Sequence, residues 1–515
     1  MRHSTRLPKI CVALGFPKVS QLLDTARREI ESGSQFFEFR LDFLETPSAG
    51  IRAIRDLLRQ HPDVKLLATC RRHQNHGRFN GSIEEQVDLL EEAAAAGAIA
   101  VDVEIESAET APQTVDRLRN STDLIISYHS FSGTPPLQKL MARMHRFPAD
   151  AYKVVTTARK PSDLLRLMSL ANEKPGTPLI LLSMGEMGFP SRVISVKMGC
   201  LYSYAAPNST GGTAPGQISS QKMRSMYALE KLRKDASVYG VIANPVKHSL
   251  SPHVHNRAFQ FKRISAVYLP LLVENGQLKD FMLLADELPL KGFNVTIPHK
   301  QKILRYLDVV DPLARRIGAV NTIWKKAGKW RGTTTDVAGT LRPLEKKLKL
   351  RNARVLVAGS GGAARTAAFA LADAGAKVSL TGRNLDKVRA LAKAVGGIPL
   401  GHAEAEQESF DALIHATPLG MYPQQDGIYF PDRIPAEIVF DMVYNPRETA
   451  LLKHASEMGK ITIDGLQMFI EQAAEAFSLW TGENAPRKTM ENAAIAALEC
   501  DFAAAEMVNT ENHND

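Results

Sequence analysis

The sequence predicts an α/β protein: a barrel of eight β/α units followed by two smaller α/β domains. Three observations predict it. From Ile10 to Lys234, short apolar runs alternate with amphipathic stretches of helix length. The runs are continuously apolar, which marks strands buried on both faces, as in parallel sheets. The pattern changes near Ser237, and again at Arg354, where a strand runs into a Gly-rich turn.

The eight barrel strands are read at Ile10–Gly15, Phe36–Leu41, Val64–Thr69, Ile99–Ile105, Leu124–Tyr128, Tyr152–Thr156, Leu179–Met184 and Cys200–Tyr204. Helices are expected at Val19–Ile30, Ile51–Gln60, Ile83–Ala96, Leu137–Arg146, Ser162–Asn172 and Ile218–Lys234. Ser82 and Glu85 have the spacing of a capping box. Eight such units fit a closed (β/α)₈ TIM barrel, and a doubly wound open sheet is the alternative. The next domain reads as strand Val238–Ala243, a helix from Pro252, strand Ala266–Leu272, helix Leu278–Leu284 and strand Gly292–Ile297. Ala319–Trp324 and Lys329–Thr334 flank a turn and suggest a hairpin. Strand Arg354–Ala358 opens the third domain, and helices Gln467–Trp480 and from Thr489 close the chain, with a frayed polar end at Asn509–Asp515.

A chain of 515 residues predicts about three domains at roughly 100–200 residues each. Its 44% hydrophobic and 23% charged residues suit globular folding. The net charge is +9, but Lys and Arg are dispersed. That pattern favours a solvated surface, then small anionic ligands, with nucleic acid a distant third. Cys11, Cys70, Cys200 and Cys500 form no C-x-x-C pair, which argues against disulfides or zinc and fits a reducing cytoplasm. The basic N-terminus has no signal-peptide pattern, and no apolar run approaches transmembrane length.

Barrel active sites lie where strands end. Polar residues gather there: Glu38 and Arg40, Arg71, Asp102 and Glu104, His129, and Lys153. Charges inside buried strands are costly unless paired. The plain alternative for any one of them is a layer of paired charges in a polar barrel interior. Lys153 stands among apolar neighbours, and desolvation frees a lysine amine as a nucleophile toward carbonyls. A nearby His129 suits proton transfer, and Glu104 is placed to orient it. The residues alone therefore point to Schiff-base chemistry on a small anionic carbonyl compound.

The motifs EFRLD, TCR, DVE, SYH, YK, GFPSR and TAPGQ, in this order, resemble the type I 3-dehydroquinate dehydratases, from about Leu7 to Ser225. The resemblance implies that Lys153 forms an imine with the substrate ketone. It implies that His129 takes the neighbouring proton and protonates the departing hydroxyl, while Glu104 holds His129. Arg192 would clamp the substrate carboxylate. Glu38, Arg40, Arg71, Thr213 and Gln217 would bind the rest of the substrate. Thr213 stands where the family pattern has Ser.

In the C-terminal half, Gly359, Gly361 and Ala364 fit G-x-G-x-x-G/A between a strand and a helix. Gly362 and Ala363 complete that turn, which suits a pyrophosphate. Arg383 and Lys387 follow the next strand where an NAD site usually has an acid, so a 2′-phosphate and NADP(H) are expected. Polar clusters follow apolar strands at His248–Pro252, Gly292–Lys300, Gly318–Thr322 and Thr333–Asp336.

This set is similar to the shikimate dehydrogenases from about Ser237 to Cys500. The similarity implies a small α/β substrate domain plus a Rossmann NADP domain. Ser249 and Ser251 would bind a carboxylate; Asn294, Thr296, Asn321, Asp336 and Gln472 would bind ring hydroxyls. Lys300 and Asp336 would form the catalytic pair, with Tyr444 facing the substrate. Thr417, Met421, Met442 and Gly465 would line the nicotinamide. Thr334 departs from the family's asparagine.

The expected boundaries are 1–228 for the barrel, 229–349 for the substrate domain, 350–465 for the Rossmann domain and 466–515 for the closing helices. The two resemblances together imply a bifunctional enzyme of aromatic biosynthesis, because the product of the first reaction is the substrate of the second. They imply small-molecule substrates, no metal, and no nucleic-acid or membrane partner. No transit peptide is recognisable, so a bacterial cytoplasm is expected. The alternatives are a ligand-sensing regulator, a chain with one half inactive, or a quinate-preferring dehydrogenase.

Overall fold

Eight strands form the first sheet: β1 (Ile10–Leu14), β2 (Phe36–Arg40), β3 (Lys65–Thr69), β4 (Ala100–Glu104), β5 (Asp123–His129), β6 (Ala151–Thr157), β7 (Leu179–Met184) and β8 (Ser203–Ala205). The strands pair in parallel, neighbours follow chain order, and β8 returns to β1. Leu201 N–H donates to Leu179 O (3.0 Å), joining the approach to β8 to β7. This is the expected barrel rather than an open sheet. The computed structural model describes residues 7–173, 176–209, 212–288, 290–421 and 425–511, the last twelve by backbone alone. The last residues of the expected frayed end, and the side chain of Cys500, lie outside that description.

Strand periodicity builds the barrel interior in layers. Phe36, Leu67, Ala100, Ile125, Ala151 and Tyr202 belong to one apolar cluster. Two residues further along each strand, on the same face, stand Glu38, Thr69, Asp102, Ser127, Lys153 and Tyr204. An apolar plug therefore lies beneath a polar layer at the strand ends. The capping box forms in full: Glu85 N–H donates to Ser82 Oγ and Ser82 N–H to Glu85 Oε2.

A second sheet contains β9 (Ser237–Ala243), β10 (Ala266–Leu272), β11 (Leu290–Val295), β12 (Val309–Val310), β13 (Thr322–Lys326) and β14 (Lys329–Thr333), in the order β10-β9-β11-β13-β14-β12. β13 and β14 make the expected hairpin. The third sheet contains β15 (Arg354–Ala358), β16 (Lys377–Thr381), β17 (Ile398–Pro399), β18 (Phe410–His415), β19 (Ala436–Asp441) and β20 (Ile461–Ile463). Its order, β17-β16-β15-β18-β19-β20, reverses between β15 and β18, as in a doubly wound dinucleotide-binding sheet. Val355 and Val357 face one apolar core, Leu356 and Ala358 the other, so both faces are covered.

The packing forms two compact units: Met1–Ser237 with Asn244–Lys247 and Ser265–Pro289, and Val238–Ala243 with His248–Ile264 and Leu290–Asp515. Within the first, Ser162 N–H donates to Asp280 Oδ2 (2.6 Å). Within the second, Gly339 lets its helix, Asp336–Glu345, lie close against helix Gly465–Thr481. A Cβ there would stand 2.8 Å from Met468 O.

Three local readings differ from the structure. The expected helix Ile218–Lys234 is only Ser220–Ser225, because Ala228 turns left-handed (φ 47°) before a single 3-10 turn, Leu229–Lys231. The eighth strand begins at Ser203 rather than Cys200. The hairpin starts at Thr322 rather than Ala319, because Val320 N–H is taken by Lys300 O (2.9 Å). No helix among the described residues is long and apolar enough to cross a membrane.

Candidate active sites

Lys153 Nζ lies 2.9 Å from Asp102 Oδ2, 2.9 Å from Tyr204 OH and 3.4 Å from Glu38 Oε1. All four residues are buried. The apolar setting expected for Lys153 is therefore corrected. Its sequence neighbours are apolar because they alternate to the outer face, whereas Lys153 faces the polar interior. Thr69 Oγ1 donates to Glu38 (2.8 Å) and Ser127 Oγ to Asp102 (2.6 Å). Burial pushes the Asp102 carboxyl up, but Lys153, Arg71 and Ser127 outweigh it and hold it below the usual range. Burial also pushes the Tyr204 phenol up, so it stays protonated and donates to Glu38 (3.2 Å).

Among the described residues, each cation lining the cavity except Arg192 has a carboxylate beside it. Arg40 grips Asp42 through two hydrogen bonds of 2.9 and 2.8 Å, and Arg71 stands 3.9 Å from Asp102. Arg192 is 2% exposed and, among the described residues, donates only to the carbonyls of Tyr204 (3.3 Å) and Pro215 (3.2 Å). Burial pulls its guanidinium down to about 10. An uncompensated buried charge costs several kcal/mol, so the place is built for an anion.

Glu38, Arg40, Arg71, His129, Lys153, Arg192, Thr213 and Gln217 all line one cavity of about 150 Å³. His129 lies one layer above Lys153: Ser127 pairs with Lys153, and His129 with Val155. Burial, then the charges of Arg71, Lys153 and Arg40, push its imidazole well below the ordinary range. The ring is therefore neutral and able to take a proton. Gly216 turns with φ +77°, where a Cβ would meet Gly185 O at 2.8 Å, and so delivers Gln217.

The expected pair of Glu104 with His129 is not formed among the described residues. Glu104 registers with Ser127, two residues short of His129. Its oxygens instead accept from Arg72 N–H (2.8 Å) and Gln86 Nε2 (2.7 Å). Burial pushes its carboxyl up against Arg71 and these hydrogen bonds. Asp102 had been noticed as a strand-end charge without a role; Tyr204, His76 and Phe131, which also line the cavity, gave no periodic signal. Cys11, Cys70 and Cys200 are buried and free, and burial raises each thiol, Cys200 to about 12.

In the second unit, Lys300 Nζ lies 2.6 Å from Asp336 Oδ2. Asn321 Nδ2 donates to Asp336 Oδ1 (2.8 Å), and Asn294 Nδ2 to Asn321 O (3.1 Å) and Thr322 Oγ1 (3.0 Å). Thr335 N–H donates to Asn321 Oδ1 (2.8 Å). Thr322 and Thr335 lie in the polar clusters Gly318–Thr322 and Thr333–Asp336, but their role as supports gave no signal of its own. Thr334, at the departure from the family pattern, is buried. Thr296 follows β11 and donates its N–H to Ile242 O (3.1 Å). Gln472 packs beside Gly339, whose added Cβ would lie 3.2 Å from Gln472 Cβ. Ser249 Oγ accepts from Ser251 N–H (3.3 Å) at the start of helix Ser251–Phe261. No hydrogen bond joins these two serines to the Lys300 chain among the described residues.

The Gly-rich turn lies at the reversal point of the third sheet. Gly359 has φ +129°, and a Cβ there would meet Ala416 O at 2.7 Å and Ala364 Cβ at 3.3 Å. Gly361 and Gly362 face open space at the N-terminus of helix Gly362–Asp373, with Ala363 in its first turn. Arg383 and Lys387 are exposed, with no carboxylate partner among the described residues. A pyrophosphate fits the open helix end, and a 2′-phosphate fits the two free cations. Gly465 approaches Met442 O, to 2.6 Å for an added Cβ. The Tyr444 ring packs against Phe469 at 5.4 Å. Met421 is 46% exposed, and Thr417 is held by hydrogen bonds to His415 and Leu419.

Comparison with known proteins divides the chain the same way. The family model for type I 3-dehydroquinase matches residues 10–234. That for the shikimate dehydrogenase substrate binding domain matches 241–323, and that for the shikimate 5′-dehydrogenase C-terminal domain 465–495. The NADP(+)-dependent shikimate dehydrogenase of Bacillus cereus (strain B4264) is 41% identical over 274 residues, covering 51% of this chain and 98% of its own. A crystal structure of a shikimate dehydrogenase in complex with NADP+ superposes with a TM-score of 0.50 at 38% identity, over 52% of this chain and 97% of its own. The bifunctional 3-dehydroquinate dehydratase/shikimate dehydrogenase, chloroplastic, of Arabidopsis thaliana is 33% identical over 504 residues, spanning 93% of this chain and 83% of its own. With one lysine–carboxylate site in each half and a relative that matches across both, the chain belongs to the bifunctional 3-dehydroquinate dehydratase/shikimate dehydrogenase family.

Proposed function

We propose that the chain dehydrates 3-dehydroquinate to 3-dehydroshikimate in the barrel and reduces that product to shikimate with NADPH in the second unit. The observation that carries this reading is Lys153, held by Asp102, Glu38 and Tyr204, in one cavity with a neutral His129 and an uncompensated Arg192.

In the barrel, Arg192 takes the substrate carboxylate. Glu38, Arg40, Arg71, Thr213 and Gln217 fix the pose. Lys153 gives up a proton to its carboxylate neighbours, and its amine adds to the ketone. Loss of water leaves the imine. His129 then removes the adjacent proton and returns it to the departing hydroxyl, so one water leaves. Hydrolysis of the imine frees the enone and restores Lys153. Glu104 is a positioning residue that holds the Arg71–Arg72 segment rather than the His129 ring.

In the second unit, Ser249 and Ser251 bind the carboxylate; Asn294, Thr296, Asn321, Gln472 and Tyr444 surround the ring. Lys300, held by Asp336, donates the proton to the carbonyl oxygen. When bound, NADPH supplies the hydride. Gly359, Gly361, Gly362 and Ala363 would hold its pyrophosphate, Arg383 and Lys387 its 2′-phosphate. Thr417, Met421, Met442 and Gly465 would border the nicotinamide. The boundaries that accompany this reading are 1–228, 229–349, 350–465 and 466–515. A cytoplasmic location accompanies it as well, supported by three buried free cysteines that suit a reducing compartment.

Lys153→Ala is expected to abolish dehydration and leave reduction of added dehydroshikimate intact, with Lys300→Ala giving the reverse loss of at least about 100-fold. If borohydride with dehydroquinate still adds mass to Lys153→Ala, the imine assignment is wrong. Because His129 is depressed by burial and by Arg71, its neutral form persists as pH falls. The acidic limb of dehydratase kcat/KM should therefore lie below pH of about 6.5, and a limb at or above that value contradicts His129 as the base. Arg383→Ala should weaken NADPH binding several-fold more than NADH binding, and equal losses for both would remove the 2′-phosphate role.

A further inference from the structure

We infer that His415 is a positioning residue of the reduction site, holding the Thr417 hydroxyl so that its oxygen, and not its proton, faces the dinucleotide crevice. The inference rests on the assignment of Thr417 to the cofactor site. β18 and β19 end in register at His415 and Asp441, so the two side chains stand together. Both are almost fully buried. His415 Nδ1 lies 2.9 Å from Asp441 Oδ1, and His415 Nε2 lies 2.5 Å from Thr417 Oγ1. Asp441 also accepts from Val443 N–H (3.0 Å) and from Thr449 Oγ1 (2.6 Å). The Tyr429 ring covers the imidazole, with centroids 5.5 Å apart.

Asp441 takes only donors, so it is the carboxylate and His415 Nδ1 carries a proton toward it. With a single proton on the ring, Nε2 is bare and accepts from Thr417; a doubly protonated ring would donate there instead, and that is the arrangement the inference excludes. Leu419 N–H donates to Thr417 Oγ1 (3.2 Å), which occupies one lone pair. The remaining lone pair is all that Thr417 can offer a ligand. An acceptor in that place suits a hydrogen-bond donor, such as a primary carboxamide. The chain from Thr449 through Asp441 and His415 to Thr417 also fixes the segment after β18, whose Ala416 O abuts Gly359. Outer hydrogen bonds of this kind set the orientation of groups that touch a ligand.

Two substitutions separate the ends of the imidazole. His415→Asn can keep the bond to Asp441 but cannot reach Thr417; His415→Gln can reach Thr417 but leaves Asp441. The full chain is titrated with NADP+ by calorimetry, with thermal midpoint and dehydratase rate recorded for each variant. His415→Asn is expected to weaken NADP+ about 3- to 10-fold, the size of one lost hydrogen bond. His415→Gln should stay within about twofold of the parent while lowering the midpoint more. Thr417→Val should weaken NADP+ as His415→Asn does, and the double variant should be no worse than either alone. Thr417→Val weakening NADP+ while His415→Asn leaves it unchanged overturns the inference and spares Thr417 as a cofactor residue. If neither substitution changes NADP+ binding, the Thr417 assignment and the inference fall together. If a variant does not fold, selective 15N labelling of histidine in the parent decides: Nε2 protonated at neutral pH contradicts the arrangement.

Discussion

Each half of the chain is organised around a lysine held at hydrogen-bonding distance by a carboxylate. Lys153 meets Asp102 at 2.9 Å in the barrel, and Lys300 meets Asp336 at 2.6 Å in the second unit. Burying a cation such as Lys153 alone costs several kcal/mol, so its partners must be fixed before the barrel site can exist. In the barrel the partners come from β2, β4 and β8, which only a closed sheet brings around one strand. In the second unit, Asn321 donates to Asp336 and is itself held by Thr335 N–H, while the close helix contact at Gly339 seats the helix that Asp336 begins. Fold and chemistry share one requirement, the satisfaction of buried charge.

The two sites differ in what they leave unsatisfied. Among the described residues of the barrel cavity, Arg192 alone of the cations lacks a carboxylate, which leaves a place suited to an anionic ligand. In the third sheet the unsatisfied groups are the open helix end beyond Gly361 and the free cations Arg383 and Lys387. Both suit anions, which the proposed function supplies as a carboxylate for the one and phosphates for the others. The modest positive charge of the chain fits that use better than nucleic-acid binding.

Much of this was legible in the sequence because strand geometry has a period of two. Glu38 and Arg40 in FFEFR share a face, and the barrel puts both at its cavity. Gly359, with its left-handed φ and its neighbour Ala416, is a position where the motif and the backbone demand the same residue. What could not be read depends on contacts between distant segments. In sequence Lys153 stands among apolar neighbours, which hide the Asp102 and Glu38 that reach it from other strands. Glu104 was paired with His129 because adjacency of strands was legible but their register was not. The helix expected at Ile218–Lys234 failed because one left-handed residue, Ala228, leaves no trace in an apolar pattern. His415 gave no signal either, since its partners lie on β19 and beyond β18.

The central claim is that both sites are competent and act in succession on one substrate. Purified protein given 3-dehydroquinate and NADPH alone, with enone absorbance and NADPH followed together, tests it most directly. The account predicts steady loss of NADPH with little standing enone, and formation of shikimate. Enone that accumulates while NADPH stays constant, or no change in either signal, would contradict it.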